Sequence, residues 1–217
     1  MEDMQTPPLD NDAVLWSGDP ADQPLIVFLH GYGSDERDLF ALRAHLPGDF
    51  AFASVRAPLD PPFPMGGYSW YPIEGLDSRD PARVTDSAQR LLEWLDAHAA
   101  TRTAVTLVGF SQGGAVALQA MRLAPERFDS VVNLSGYAAG GSLEGDDVLK
   151  ETKPPVFWGR GSADEVIPEA AIVHTTDWLP VHTELVGRIY PGLAHAVAPQ
   201  EIDDLNVFLK KRLAPRP

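Results

Sequence analysis

The chain has 217 residues and 17 basic against 31 acidic side chains, a formal charge of -14 at pH 7. A chain of that length buries a sufficient core without cross-links, and with no cysteine it can form no disulfide, thiol nucleophile or Cys-based metal cluster. The acidic balance repels phosphate backbones, so no nucleic-acid partner is expected. Apolar runs such as Leu25 to Leu29 fall far short of the ~20 residues of a bilayer helix, so the chain is not expected to span a membrane.

Residues 1–12 read as a flexible acidic leader. Glu2, Asp3, Asp10, Asp12, Asp19 and Asp22 precede the first apolar run with no Lys or Arg among them. The polar start has no apolar signal region, and the protein is expected in the cytoplasm. Residues 13–217 read as one domain, without an internal repeat or a linker. The run Leu25-Ile26-Val27-Phe28-Leu29, bounded by Pro24 and His30-Gly31, predicts a strand buried on both faces. Ala51 to Val55 predicts a second strand. Val84, Ala88, Leu91, Leu92 and Leu95 mark one face of a helix. Ala104 to Val108 is a further buried strand, followed by Gly109 to Gly113 and a helix from Ala115 to Leu123 that Pro125 stops. Val131 to Leu134, Val156 to Trp158 and Leu185 to Tyr190 predict strands. Ala170 to Trp178 and Glu201 to Leu213 predict helices, the last with a basic end, Lys210-Lys211-Arg212, that suits a helix C-terminus. Strands alternating with helices imply an α/β fold: a mostly parallel sheet with helices on both faces and its chemistry in loops after the strands.

Four such loops carry chemistry. Gly109-Phe110-Ser111-Gln112-Gly113 is a G-x-S-x-G string at a strand-to-helix junction, the pattern of a nucleophile elbow. Glycines flank the serine because strand and helix backbones approach too closely for a Cβ. His30-Gly31-Tyr32-Gly33 follows the first buried strand. Acyl transfer needs two donors where the oxyanion forms; the candidates are the backbone amides of Gln112, next to the serine, and Tyr32. His30 lies upstream of the serine and reads as a brace for its loop. In Gly159-Arg160-Gly161-Ser162-Ala163-Asp164 the third glycine of a dinucleotide fingerprint is replaced by Asp164, so this loop offers an acid instead, with Glu165 as its neighbour and competitor. Tyr190-Pro191-Gly192-Leu193-Ala194-His195 precedes the last helix and completes the chain order Ser, Asp, His. Ser111, Asp164 and His195 are therefore the candidate nucleophile, orienting acid and base.

These strings, with Leu134-Ser135-Gly136 and the continuation Glu165-Val166-Ile167-Pro168, resemble the phospholipase/carboxylesterase family of α/β-hydrolases, which includes acyl-protein thioesterases and small bacterial carboxylesterases. The resemblance runs from about residue 24 to residue 210. It implies a serine carboxylesterase with the Ser111, Asp164, His195 triad and the Tyr32 and Gln112 oxyanion hole, with no cofactor or metal and no separate lid domain. A small-molecule ester is the implied substrate. Thioester or lysophospholipid hydrolysis by the same triad is the alternative, and a non-catalytic binding module on this scaffold a distant one. Three strings depart from the family pattern. Gly159-Arg160-Gly161 stands where His-Gly usually precedes the acid, Gly192-Leu193-Ala194-His195 where Gly-Met-Gly-His is frequent, and Tyr71-Pro72 where an aromatic-Asp pair often follows the tryptophan. They bear on substrate identity more than on catalysis. The loop Pro61 to Gly75, with Phe63, Tyr68, Trp70 and Tyr71, is either a packed surface loop or an acyl-pocket wall; Trp70 and Tyr71 are the pocket candidates. With no lid and a charge of -14, neutral or cationic esters with short to medium acyl chains are the expected substrates. The sequence does not fix the oligomeric state.

Overall fold

The run Leu25–Leu29 forms a strand with every residue buried, and alternate side chains enter different cores. Leu25, Val27 and Leu29 join one apolar cluster, while Ile26 and Phe28 join another. Period-2 alternation sends neighbours to opposite faces, so a strand covered on both sides must be apolar throughout. The structure, a computed structural model, describes residues 6–18, 23–61, 64–73, 79–99 and 104–213.

In chain order the strands are β1 (Leu15–Ser17), β2 (Leu25–Leu29), β3 (Ala51–Val55), β4 (Val105–Phe110), β5 (Ser130–Leu134), β6 (Pro155–Gly161) and β7 (Glu184–Tyr190). The helices are α1 (Arg37–Phe40), α2 (Pro81–Ala99), α3 (Gln112–Leu123), α4 (Gly145–Thr152), α5 (Glu169–His182) and α6 (Pro199–Leu213). The seven strands pair in the order β1-β3-β2-β4-β5-β6-β7. All pairs are parallel except β1 with β3. Parallel neighbours need crossover connections, and the helices supply them.

One core cluster holds Val84, Ala88, Leu91 and Leu95 of α2 and most of α3, with Leu149 of α4 and Leu179 of α5. The other holds Leu39 of α1 and Leu205, Phe208 and Leu209 of α6. The sheet is thus sandwiched between α2 to α5 on one face and α1 and α6 on the other. Each fully buried Leu or Val contributes about 1.5–3 kcal/mol relative to exposure, and this paired burial is what fixes the layers.

Four features differ from the sequence expectation. The short edge strand β1 and the helices α1 and α4 were not foreseen; β1 has only three residues, and its pairing with β3 rather than its composition creates it. Two residues of the expected leader are packed. Thr6 and Leu9 are buried, the Thr6 N–H donates to the Asp86 carboxylate at 2.8 Å, and the Thr6 carbonyl accepts from Arg90 at 2.6 Å. Leu9 supplies the apolar contact that the surrounding acids obscured. Residues 1–5 lie outside the described residues. Among the described residues no helix is long and apolar enough to cross a membrane.

Candidate active site

Ser111 lies between the last residue of β4 and the first of α3, with φ 53° and ψ -113°. A non-glycine residue there stores about 1–3 kcal/mol of strain, which the packing around it must offset. The turn is tight enough that a Cβ on Gly113 would run into the Leu29 carbonyl, and one on Gly109 into the Gly113 carbonyl. The Ser111 N–H is held by the Leu134 carbonyl at 2.8 Å. These contacts aim the side chain into a cavity of about 370 Å³, which Ser111 lines together with Gly31, Tyr32, Gln112 and His195.

His195 comes from the loop after β7. Its Nδ1 lies 2.7 Å from Oδ2 of Asp164, whose side chain is only 1% exposed. The other carboxylate oxygen accepts from the amides of Val166 at 2.9 Å and Ile167 at 3.2 Å. A carboxylate held by two amides presents its remaining oxygen to the imidazole. Accepting only, it draws the proton to Nδ1 and leaves Nε2 as the basic nitrogen. The acid and base loops are laced together: Ala163 donates to the Leu193 carbonyl at 2.9 Å and Ser162 to the Tyr190 carbonyl at 3.0 Å. Gly161 has no room for a Cβ because the Leu193 carbonyl fills that space. The ring of Phe110 lies 4.9 Å from that of His195 and supports it. Glu165, the competing acid, is exposed, and it is Asp164 that reaches His195.

The Tyr32 and Gln112 residues border the cavity on the Ser111 side. Gln112 has a further role that sequence reasoning did not find. Its side-chain oxygen accepts from the Trp70 amide at 2.8 Å, and its amide nitrogen donates to the Tyr71 carbonyl at 2.6 Å. The Trp70 indole N–H in turn donates to the His30 carbonyl at 2.9 Å. His30 is fully buried; its Nδ1 donates to the Gly31 carbonyl at 2.8 Å and its Nε2 accepts the Ala57 amide at 3.0 Å. Burial lowers its pKa, in keeping with a neutral ring that both donates and accepts. The loop that carries Tyr32 is thus braced from behind by His30 and Trp70.

This corrects the pocket expectation for Trp70. The residue is fully buried and packs against His30 with ring centroids 5.9 Å apart. It is absent from the cavity lining, whereas Tyr71 is part of it. The aromatic composition of residues 61–75 could not separate a wall from a brace; the indole hydrogen bond decides it. Residues 62, 63 and 74–78 lie outside the described residues. The lining also includes Asp38, Arg79 and Tyr137, which sequence reasoning missed. Asp38 and Arg79 carry no local motif, and only Tyr137, just after Leu134-Ser135-Gly136, stood next to a recognised string.

The sequence pattern of the Phospholipase/Carboxylesterase family matches residues 10–213. The chain belongs to the phospholipase/carboxylesterase family. An acyl-protein thioesterase 1 of Cryptococcus neoformans var. neoformans serotype D is 26% identical over 219 residues, covering 87% of this chain and 92% of the relative. An acyl-protein thioesterase 1 of Saccharomyces cerevisiae is 32% identical over 119 residues, 51% of this chain and 50% of the relative. Among solved structures, esterase PE8 superposes with a TM-score of 0.73 at 27% identity, covering 94% of this chain and 99% of that one. The mostly parallel α/β sheet expected from the strand and helix pattern, and the α/β-hydrolase fold implied by the resemblance, are both found in this family member, a seven-stranded sheet between helices.

Proposed function

We propose that the protein is a serine hydrolase of carboxylic esters, with Ser111 as nucleophile, His195 as base, Asp164 as orienting acid and the backbone amides of Tyr32 and Gln112 as oxyanion hole. The observation that carries this reading is the strained Ser111 on the wall of the same cavity as His195, whose far nitrogen is tied to Asp164 at 2.7 Å. Family membership supports it.

In this reading His195 Nε2 takes the Ser111 proton as Oγ attacks the ester carbonyl. The carbonyl π electrons move to oxygen, and the two amides hold the resulting oxyanion. Collapse of the tetrahedral species breaks the C–O bond to the alcohol, which leaves with the proton from His195. Water then attacks the acyl-enzyme by the same route, releasing the acid and restoring Ser111. Asp164 stabilises the imidazolium formed in each half. A thioester follows the same steps with a thiol as leaving group, and the names of the thioesterase relatives favour including it.

The test is a fluorophosphonate label combined with a panel of p-nitrophenyl esters, thioesters and lysolipids. The wild type is expected to label at Ser111 and to hydrolyse the short esters. Ser111→Ala is expected to lose both, with kcat down by about 10⁶ and the thermal midpoint nearly unchanged. Labelling without turnover of any substrate, or more than a few per cent activity in the variant, contradicts the assignment. A binding module would take up no label at all.

A further inference from the structure

The cavity in front of Ser111 is lined by charged side chains of both signs. Asp38 of α1 lines it together with Ser34, whose hydroxyl donates to the Asp38 carboxylate at 2.8 Å. Arg79 lines it together with Tyr137, which follows β5, and Val166, which follows β6. In the sheet, β2 lies on one side of β4 and β5 with β6 on the other. Ser111, at the end of β4, thus shares its cavity with one anionic and one cationic side chain.

The cationic side is built rather than incidental. Arg79 donates to the Val166 carbonyl at 3.2 Å, and its guanidinium lies over the Tyr137 ring at 5.3 Å. The Tyr137 oxygen also lies 2.6 Å from that of Tyr71. Tyr71 and Tyr137 are both buried and both line the cavity, so one phenol donates to the other and the accepting one keeps its own proton for the cavity. Burial pushes both phenols up, Tyr137 to about 12, so neither becomes an anion near neutral pH. A guanidinium beside a phenol donor is a receptor for a carboxylate, which accepts charge-assisted bonds at both oxygens.

Resting on the reading of Ser111 as nucleophile, we propose that the preferred substrates are esters bearing a second, ionised carboxylate, and that Arg79 and the Tyr71–Tyr137 phenol pair bind that group. Asp38, which also lines the cavity, disfavours any pose that places the carboxylate beside it. The formal charge of -14 does not oppose this. Charges beyond about 8 Å are largely screened at physiological salt, and the nearest charge decides. Net charge points to neutral or cationic esters, whereas the groups lining the site point to an anionic one.

The experiment compares kcat/KM for matched ester pairs that differ only in the carboxylate. One arm places it on the acyl group, p-nitrophenyl hemiglutarate against p-nitrophenyl pentanoate. The other places it on the alcohol, the acetyl ester of 3-hydroxybutyrate against that of 2-butanol. In one arm the carboxylate member is expected to win by about tenfold or more, the worth of one charge-assisted hydrogen bond. That arm shows which half of the ester faces Arg79. Arg79→Gln is expected to bring the ratio to about one, and Arg79→Lys to keep part of it, because the charge stays while the planar fork is lost. If a variant fails to fold, the wild-type ratio still decides, since it must fall as salt is raised. A neutral isostere equal or better in both arms, or a ratio that survives Arg79→Gln, overturns the proposal. Failure of the esterase reading looks different: neither member of any pair is hydrolysed and Ser111 takes no fluorophosphonate.

Discussion

At the scale of single residues, roles separate by what each side chain touches. Asp164 spends one oxygen on two amides and the other on His195. In Asp164→Asn the amide side chain can keep those contacts only by misdirecting the histidine tautomer. Hydrolysis is expected to fall by up to roughly 10⁴ in kcat, with fluorophosphonate labelling slowed but detectable. Asp177→Asn, on α5, is the control and is expected to change neither rate. Trp70 is a brace whose indole N–H holds the His30 carbonyl. Trp70→Phe removes that bond and is expected to lower kcat while leaving the acyl-chain profile of kcat/KM in its original shape. A profile that shifts toward longer or shorter chains would mean that Trp70 meets the substrate after all. The candidate triad was legible from local strings, because each member lies within three residues of a glycine in a loop after a strand. The difference between Trp70 and Tyr71 was not, because adjacent aromatics in one loop look alike until the backbone turns one inward.

At the scale of elements, the elbow joining β4 to α3 determines how well the site is held. The approach of α3 to β2 leaves no space at Gly113, where a Cβ would meet the backbone carbonyls of Leu29 and His30. These are backbone atoms, so they cannot rotate away. Gly113→Ala is expected to destabilise the fold by about 1–3 kcal/mol and to lower kcat by moving the Gln112 amide; urea melts and steady-state kinetics check both. The control Gly48→Ala, with no atom near its added Cβ, is expected to match wild type in both measurements. The glycines of the G-x-S-x-G string announced this close approach. The element α4 was not announced. Its small face places Leu149 in the core, and it is held by the buried Arg122–Asp146 ion pair at 2.8 Å, a contact between residues that no sequence window joins.

At the scale of the whole molecule, one buried acid links stability to pH. Glu201, in the first turn of α6, is fully buried, and its carboxyl fills the space where a side chain on Gly159 of β6 would lie. Desolvation pushes its pKa from 4.5 up to about 7, against the pull of the Ala198 amide and with the help of the Asp204 charge. The folded state holds this proton more tightly than the unfolded chain. Stability from this group is complete below pH 4.5 and is lost as pH rises through about 7. The loss amounts to roughly 3 kcal/mol. Glu201→Gln cannot ionise, so its unfolding free energy is expected to decline less than that of wild type between acid and about pH 8. Parallel slopes in denaturant melts across that range would remove Glu201 as the cause.

The sequence by itself determined the layered α/β architecture, since runs apolar at every position have no place except between two covered faces, and helical stripes of period 3.6 must cover them. It also determined the order and spacing of Ser111, Asp164 and His195, because each depends on a short string that a loop after a strand requires. Tertiary structure alone decided what surrounds them. Arg79, Asp38 and Tyr137 come from three separate stretches of chain and meet only because β2, β4 and β5 lie side by side. Net charge is a sum over the chain, but a substrate feels the few groups within a Debye length, and which groups those are is set by the fold.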